Sequence, residues 1–187
     1  MRTTLTVFTL AAALAGGTAV VAYAQASFSD AQVASYANAR KQVAAINSQV
    51  TGGKPTAEQQ AAMAKAVTDA GLTIESFNAI ATAAQKDAVL RARIAVAEAT
   101  PSPAGSVGAS VTEDEMTKFS AAMAKLRVVA AGVQNNAPTD AQKAEMNSIV
   151  AASGLTVERF NAIATAIPQD PHLKARVLLA DARRGGA

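Results

Sequence analysis

The sequence predicts an all-α protein that consists of two tandem small helical modules, of about four helices each, after an N-terminal signal peptide. Half of the residues are hydrophobic but only 4% are aromatic, and Ala, the strongest helix former, supplies much of the apolar content. Apolar residues recur every three or four positions and do not alternate with polar ones over strand-length runs. The chain also matches itself without gaps when Gly71 is aligned with Gly154, which indicates a duplication.

The N-terminus has the pattern of a secretory signal peptide over residues 1–24. Met1-Arg2 is a short basic start, Leu5–Val21 is mainly apolar, and Ala22-Tyr23-Ala24 gives a small–x–small cleavage site. Ala24-Gln25-Ala26 offers a second cleavage frame. The stretch is also about long enough to anchor the chain in a bilayer, but no basic stop-transfer cluster follows it. We therefore expect cleavage, a periplasmic or secreted protein and no stable membrane insertion.

The duplication is clearest where Gly71–Ala83 lies over Gly154–Ala166, with eleven of thirteen positions identical. From Phe28 to Val50, by contrast, only Ala39 and Val50 match their counterparts. Between the copies the chain reads TPSPAGSVGAS, a Pro-, Gly- and Ser-rich composition that is typical of a linker. The predicted organisation is a first copy at residues 27–99, a linker at 100–110, a second copy at 111–182 and a disordered tail at 183–187.

A long first helix is predicted in each copy by an apolar stripe at helical spacing. The stripe comprises Val33, Tyr36, Val43, Ile46 and Val50 in the first copy and Met116, Phe119, Met123, Leu126, Val129 and Val133 in the second. Ser29-Asp30 marks the start of one helix, and Thr112 with Glu115 forms a capping box at the other. Arg40 takes the place of Met123, either at the edge of the stripe with its charge in water or as a functional buried cation.

Three shorter helices are predicted to follow in each copy. Apolar pairs support the second helix, Met63 with Val67 and Met146 with Val150, and Phe77 with Ile80 or Phe160 with Ile163 supports the third. The second helix should end at Gly71 or Gly154 in the left-handed conformation that Gly adopts at least cost. The predicted N-caps of the three helices are Thr56, Thr73 and Asp87 in the first copy and Thr139, Thr156 and Asp170 in the second.

The pattern Gly-Leu-Thr-x-Glu-x-Phe-Asn-x-Ile, followed by Asp-x-x-Leu and an Arg, resembles a bacterial family of exported proteins. That family is catalogued as a domain of unknown function, DUF4168, and the resemblance covers nearly all of both modules. The family usually has one module, whereas this chain carries two. The resemblance implies export and helical structure, and it implies no known activity, catalytic residue or cofactor.

Several classes of chemistry lack their usual residues. The chain contains no Cys, and its only His is His172, at the start of a predicted helix where a solvated surface side chain is expected. No His, Asp and Glu cluster has metal-ligand spacing, and no phosphate-binding loop is present. Without Arg2 the chain has 16 basic and 14 acidic residues, too even a balance to indicate a nucleic-acid partner. We expect no catalytic residue, no cofactor and no metal.

A polar stripe on the third helix is the candidate interaction face. It comprises Glu75, Asn78 and Thr82 in the first copy and Glu158, Asn161 and Thr165 in the second, spaced by three and four residues so that each set shares one helix face. Helix punctuation and a small core explain most of the identity in this segment. Asn78 has a second explanation, a hydrogen bond to the turn before Asp87.

These observations favour a non-enzymatic binding module of the bacterial cell envelope, whose partner is an unknown protein or envelope component. The alternative is a periplasmic stress or chaperone-like protein that shelters apolar segments against Met63, Met116, Met123 and Met146. Core filling is the simpler role for those side chains. A third class, a small hydrolase, would depend on His172.

Overall fold

The computed structural model describes residues 28–51, 53–134 and 137–185. All regular secondary structure in these ranges is helical, which confirms the all-α fold class. The chain divides after Glu98 into two compact units, here called the first unit and the second unit. The predicted signal peptide, residues 1–24, lies outside the described residues. Within them, no helix combines the length and the apolar character that crossing a bilayer requires.

The first unit is built from four helices. They are α1 (Asp30–Asn47), α2 (Ala57–Asp69), α3 (Ile74–Lys86) and α4 (Ala88–Glu98). The long α1 packs against α2 and α4, and α3 packs against α4. The order of one long helix followed by three shorter ones is therefore the order that the periodicity predicts.

The second unit repeats this order with additions. Its helices are α5 (Val107–Ser110), α6 (Glu113–Ala131), α7 (Asp140–Ala151), α8 (Val157–Ala166), a 3-10 turn (Ile167–Gln169) and α9 (Pro171–Gly185). The long α6 contacts α7 and α9, whereas the short α5 lies against α8 and α9.

Side-chain caps begin the helices where the sequence predicts them. Ser29, Thr56, Thr112 and Thr139 each accept from the backbone N–H three residues on, and the Gln or Glu at that position bonds back to complete a capping box. The other four predicted caps also accept a hydrogen bond from the backbone N–H three residues further along the chain; they are Thr73, Asp87, Thr156 and Asp170. Gly71 and Gly154 have φ of 82° and 79°, as their predicted role requires.

Each unit has its own core, centred on a pair of aromatic rings. Tyr36 and Phe77 lie 4.8 Å apart between ring centroids in the first unit, and Phe119 and Phe160 lie 4.8 Å apart in the second. Ile80 and Ile163 are fully buried beside these pairs. The predicted apolar stripe of the first helix is buried only in its N-terminal half, because its members from Val43 and from Met123 onward are half-buried.

The second helices of the two units pack differently. In the first unit α2 buries Met63 and Val67 to 1% exposure, together with Ala66. In the second unit α7 has no buried residue, and the predicted contacts Met146 and Val150 are half-buried. The sequence pattern is therefore the same in both helices, whereas the depth of packing is not.

The segment predicted as a linker, residues 100–110, differs from that expectation. It lies in the second unit, and its last four residues form α5, which begins at Ser106 as N-cap. Val107 packs against the core of the second unit, and Gly108 is buried. Four residues are too few to show a helical period in the sequence, and this helix is held by contacts with α8 and α9.

The predicted tail also differs in part. Residues 183–185 continue α9 to Gly185. Arg184 pairs with Asp181 at 3.2 Å, and Arg183 lies 3.5 Å from a carboxylate oxygen of Glu113 on α6. These basic side chains in the last turn complement the helix dipole, which favours an extended helix end.

Candidate functional site

The candidate interaction face lies on α3 and α8. We call Glu75, Asn78 and Thr82, with Glu158, Asn161 and Thr165, the motif face. All six side chains reach solvent, although Asn78 is half-buried. The structure gives none of these six side chains a hydrogen bond or an ion pair within the described residues. The helical spacing places the three side chains of each set on one side of their helix. Because the segment is duplicated, this face occurs twice, once in each unit.

The structure assigns folding roles to most other identical positions of the segment. Gly71 turns the chain at positive φ, Leu72 is buried and Thr73 caps α3, and their counterparts in the second unit do the same. Phe77 and Ile80 belong to the core. Glu75 sits in the first turn of α3, where a negative charge is favourable for the helix dipole. Asn78 and Thr82 are left without such a role.

The second explanation for Asn78 fails in this structure. In the turn before Asp87, the backbone carbonyl groups of Ala84 and Gln85 accept hydrogen bonds from Nη1 of Arg91, at 2.9 Å each. The Asp87 side chain accepts from the N–H of Leu90 at 2.9 Å. Among the described residues, Asn78 therefore makes no hydrogen bond that would explain why it is identical in both copies.

The Arg at the end of the family pattern joins the last helix of each unit to the start of the long helix. Arg93 donates to the carbonyl of Phe28 at 2.8 Å and to the Asp30 carboxylate at 2.6 Å. In the second unit Arg176 donates to the carbonyl of Val111 and to Glu113, each at 2.7 Å. These partners are counterparts in the same alignment that places Gly71 over Gly154. The role of this Arg is therefore structural.

A second Arg, Arg159, is specific to the second unit and sequence reasoning missed its role. Its Nε and Nη2 donate to the two carboxylate oxygens of Glu115 at 2.7 and 2.9 Å, and Nη2 also reaches the carbonyl of Ser110 at 3.2 Å. The hydrogen bonds from Arg159 and from the Thr112 N–H lower the pKa of Glu115 to about 2. The counterpart of Arg159 in the first copy is Ser76, so only a contact across 44 residues reveals this pair.

His172 is half-buried, in contrast with the expected solvated side chain, and it lies in a small polar cluster. Its Nδ1 is 3.4 Å from the Ser102 hydroxyl, which in turn lies beside the Asp170 carboxylate. Burial raises the pKa of Asp170, but hydrogen bonds from the Leu173 N–H and the Ser102 hydroxyl outweigh burial and lower it. Asp170 Oδ2 is buried and makes no well-aligned hydrogen bond among the described residues. A Cβ at Gly108 would collide with this carboxylate, so Gly is required there.

The order of groups in this cluster does not suit nucleophilic catalysis. In a catalytic triad the carboxylate orients the His, and the His accepts the proton of the Ser hydroxyl. Here the carboxylate of Asp170 lies beside Ser102 itself, where its negative charge opposes an alkoxide, and it also caps α9. In the described part of the chain, no group of three or more His, Cys, Asp and Glu side chains is arranged to hold a metal ion. The cluster fits a role in fixing residues 102–108 to α9.

Comparison with known proteins identifies the family. The family model for the domain of unknown function DUF4168 matches residues 54–94 and 105–177, which together make up more than half of the chain. The chain belongs to this family. The two matched segments are consistent with tandem copies, as the internal match predicts. No curated protein and no solved structure matches the chain.

Proposed function

We propose that this DUF4168 protein is a non-enzymatic binding module of the bacterial cell envelope and that the motif face contacts its partner. One observation carries the proposal. Asn78 and Asn161, with Thr82 and Thr165, are identical in the two copies and reach solvent, and the fold gives them no hydrogen bond among the described residues. Side chains that reach solvent and make no hydrogen bond among the described residues are available to another molecule. The partner we propose is a protein or another envelope component.

The proposal of an envelope location rests on the leader pattern of residues 1–24 and on the family resemblance. Expression of the full chain in a bacterial host, followed by fractionation and N-terminal sequencing, tests it. We expect a mature N-terminus at Gln25 or Ser27. A mature protein that retains Met1 would contradict cleavage.

The chaperone-like alternative receives less support. Met63 and Met116 are at most 1% exposed and fill the two cores, so they are not available to an apolar client. Met123 and Met146 are half-buried. The test is to measure the aggregation of a client protein whose disulfides have been reduced, with and without this protein. We expect that an equimolar amount of this protein does not suppress the aggregation.

The binding role of the motif face is tested by changing both Asn residues to Ala in the full chain. A photo-crosslinking residue replaces Val157, which is 53% exposed and lies one turn before Asn161 on α8, and crosslinked species are collected from the native envelope. We expect N78A/N161A to lose the crosslinked species while the free energy of unfolding changes by less than about 1 kcal/mol, because Asn161 is exposed, Asn78 is half-buried and neither side chain makes a hydrogen bond among the described residues.

The matched control is N38A/N147A, which removes one exposed Asn from α1 and one from α7. This control should keep the crosslinked species. If N78A/N161A instead destabilises the units by more than about 1 kcal/mol and retains the crosslinks, the Asn residues are structural and the proposal is wrong.

A further inference from the structure

A shallow groove separates α6 from α7 in the second unit. Its volume is about 220 Å³, and its lining is mainly apolar. Ala121 and Ala122 of α6 face Ile149 and Ala152 across it, and the side chains of Lys118 and Lys125 line it as well. The groove is consistent with the packing of α7, which buries none of its residues.

The first unit has a different set of side chains at these positions. In the alignment of the two copies, the apolar residues Ala121 and Ala152 correspond to the polar residues Asn38 and Asp69. The two Lys residues correspond to uncharged ones, Ser35 for Lys118 and Gln42 for Lys125. The clear difference between the two copies is in charge: the second unit carries two Lys side chains at these positions, and the first unit carries none. Polarity differs in both directions, because Thr117 and Ser153 of the lining correspond to Ala34 and Ala70.

The charges at the groove leave room for an anion. Lys118 Nζ lies 2.7 Å from a carboxylate oxygen of Asp114, but the Lys118 side chain remains 41% exposed and Asp114 is 71% exposed. Lys125 is exposed and has no ion pair among the described residues. A bound carboxylate could form an ion pair with the ammonium group of Lys125, which has no ion pair among the described residues. It could also pair with the ammonium group of Lys118, whose present partner Asp114 is largely exposed to water.

We propose that this groove binds an aliphatic carboxylate, with the hydrocarbon chain between α6 and α7 and the carboxylate beside Lys118 and Lys125. Pockets for drug-sized ligands have volumes of roughly 300 Å³ or more, and this smaller groove favours one narrow chain over a partner helix. Burial of the chain against Ala121 and Ile149 supplies the affinity, at roughly 0.8 kcal/mol per methylene group that leaves water. The two ammonium groups select an anionic head. The groove is on α6 and α7, so this inference is independent of the motif face on α8.

The test is a titration of the full mature chain with monomeric decanoate, followed by amide chemical shifts in NMR. We expect saturable shifts around Lys118, Lys125 and Ala152 and none around their counterparts in the first unit. Decyltrimethylammonium has the same chain with a cationic head and should bind at least about tenfold more weakly, since it meets two like charges. Each of K118Q and K125Q should weaken decanoate binding about two- to fivefold, the range of a solvent-exposed ion pair.

Filling the groove provides the second test. A152L places a larger side chain at an exposed position of the lining, and A121L places one at a half-buried position on α6. At least one of these variants should keep the wild-type melting temperature and lose decanoate binding, whereas K41Q in the first unit should change nothing. The proposal is overturned if decyltrimethylammonium binds equally well, if the shifts map to the first unit, or if every one of the two Leu variants that keeps the wild-type melting temperature binds decanoate as the wild type does.

Discussion

The second helix of each unit occupies an equivalent place in the chain, yet α2 is packed into its core and α7 is not. Met63 is 1% exposed, whereas its counterpart Met146 is half-buried. Both helices begin with the same Pro-Thr start and a complete capping box, and both end before a Gly at positive φ. The difference teaches that helix punctuation fixes where a helix lies in the chain but does not fix how deeply that helix packs.

The polar contacts that join the long helix of each unit to its last helix, α1 to α4 and α6 to α9, show the same division between shared and variable features. At one end, Arg93 and Arg176 make equivalent contacts in the two units. At the other end the units differ: Arg40 pairs with Glu98 at 3.2 Å in the first. In the second, buried Ser120 and Arg127 both donate to the Asp181 carboxylate, at 2.5 and 3.1 Å. A polar contact at each end supplements a core that is poor in aromatic residues.

The largest expected effect separates α2 from α7 directly. M63A should destabilise the first unit by about 2–4 kcal/mol, because it removes a fully buried side chain and leaves a cavity. M146A should destabilise the second unit by less than about 1 kcal/mol, because a half-buried side chain forfeits less contact and its site is already open to water. Native-state hydrogen exchange of the full chain reports the two units separately.

A uniform loss across both units in either variant would show that the two units unfold together. Equal losses for M63A and M146A, each in its own unit, would show that α7 packs as deeply as α2 in solution. That result would also remove the groove between α6 and α7. The conservative variants M63L and M146L should both stay within about 1.5 kcal/mol of the wild type.

The features that the sequence predicts well are local ones. Caps such as Thr73 and the helix end at Gly71 need only residues within about one turn, and the duplication repeats each of these signals. The inward position of Phe77 and Ile80 likewise follows from helical spacing and apolar character. For the motif face, the sequence predicts the shared helix face and its exposure, but only the structure shows that Asn78 does not bond the turn before Asp87.

The features that sequence reasoning misses depend on contacts between distant residues. The Arg159–Glu115 pair joins residues 44 apart, and buried Ser120 donates its hydroxyl proton to the carboxylate of Asp181, 61 residues away. The helix α5 is too short to show a period, and it is fixed by contacts that include Arg176 at the Gly108 carbonyl. No local pattern encodes such partners, and the first copy offers no guide because it has Ala37 and Ser76 at the positions of Ser120 and Arg159.

The response to acid should differ between the units. The pKa of Glu115 is about 2 in the fold, against an ordinary value of 4.5, so its stabilising contribution is complete above pH 4.5 and is lost as the pH falls towards 2. Hydrogen bonds also lower the pKa of Asp170 and of Asp181 against the effect of burial. In the first unit, burial raises the pKa of Glu98, and a raised pKa favours the fold in acid. The second unit should therefore lose more stability between pH 5 and pH 2.

Hydrogen exchange of the two units at several pH values in this range measures the difference. E115Q should remove part of the acid sensitivity of the second unit, by roughly 1–2 kcal/mol, and leave the first unit unchanged. E75Q is a suitable control because Glu75 is exposed and has no hydrogen bond among the described residues. An acid response of the second unit that is the same in E115Q and the wild type would show that the Arg159–Glu115 pair does not contribute to stability.

The smallest expected effect concerns Arg40, the residue that interrupts the apolar stripe of α1. R40M installs the residue that the second unit has at this place, Met123, and removes the ion pair with Glu98. Arg40 is 38% exposed, so the lost ion pair should cost less than about 1 kcal/mol at neutral pH, and the apolar Met side chain should offset part of that cost. The pKa of Glu98, already raised by burial, should rise further because Arg40 acts to lower it. A double-mutant cycle with E98Q isolates the pair, and a coupling above about 2 kcal/mol would instead identify Arg40 as a buried cation.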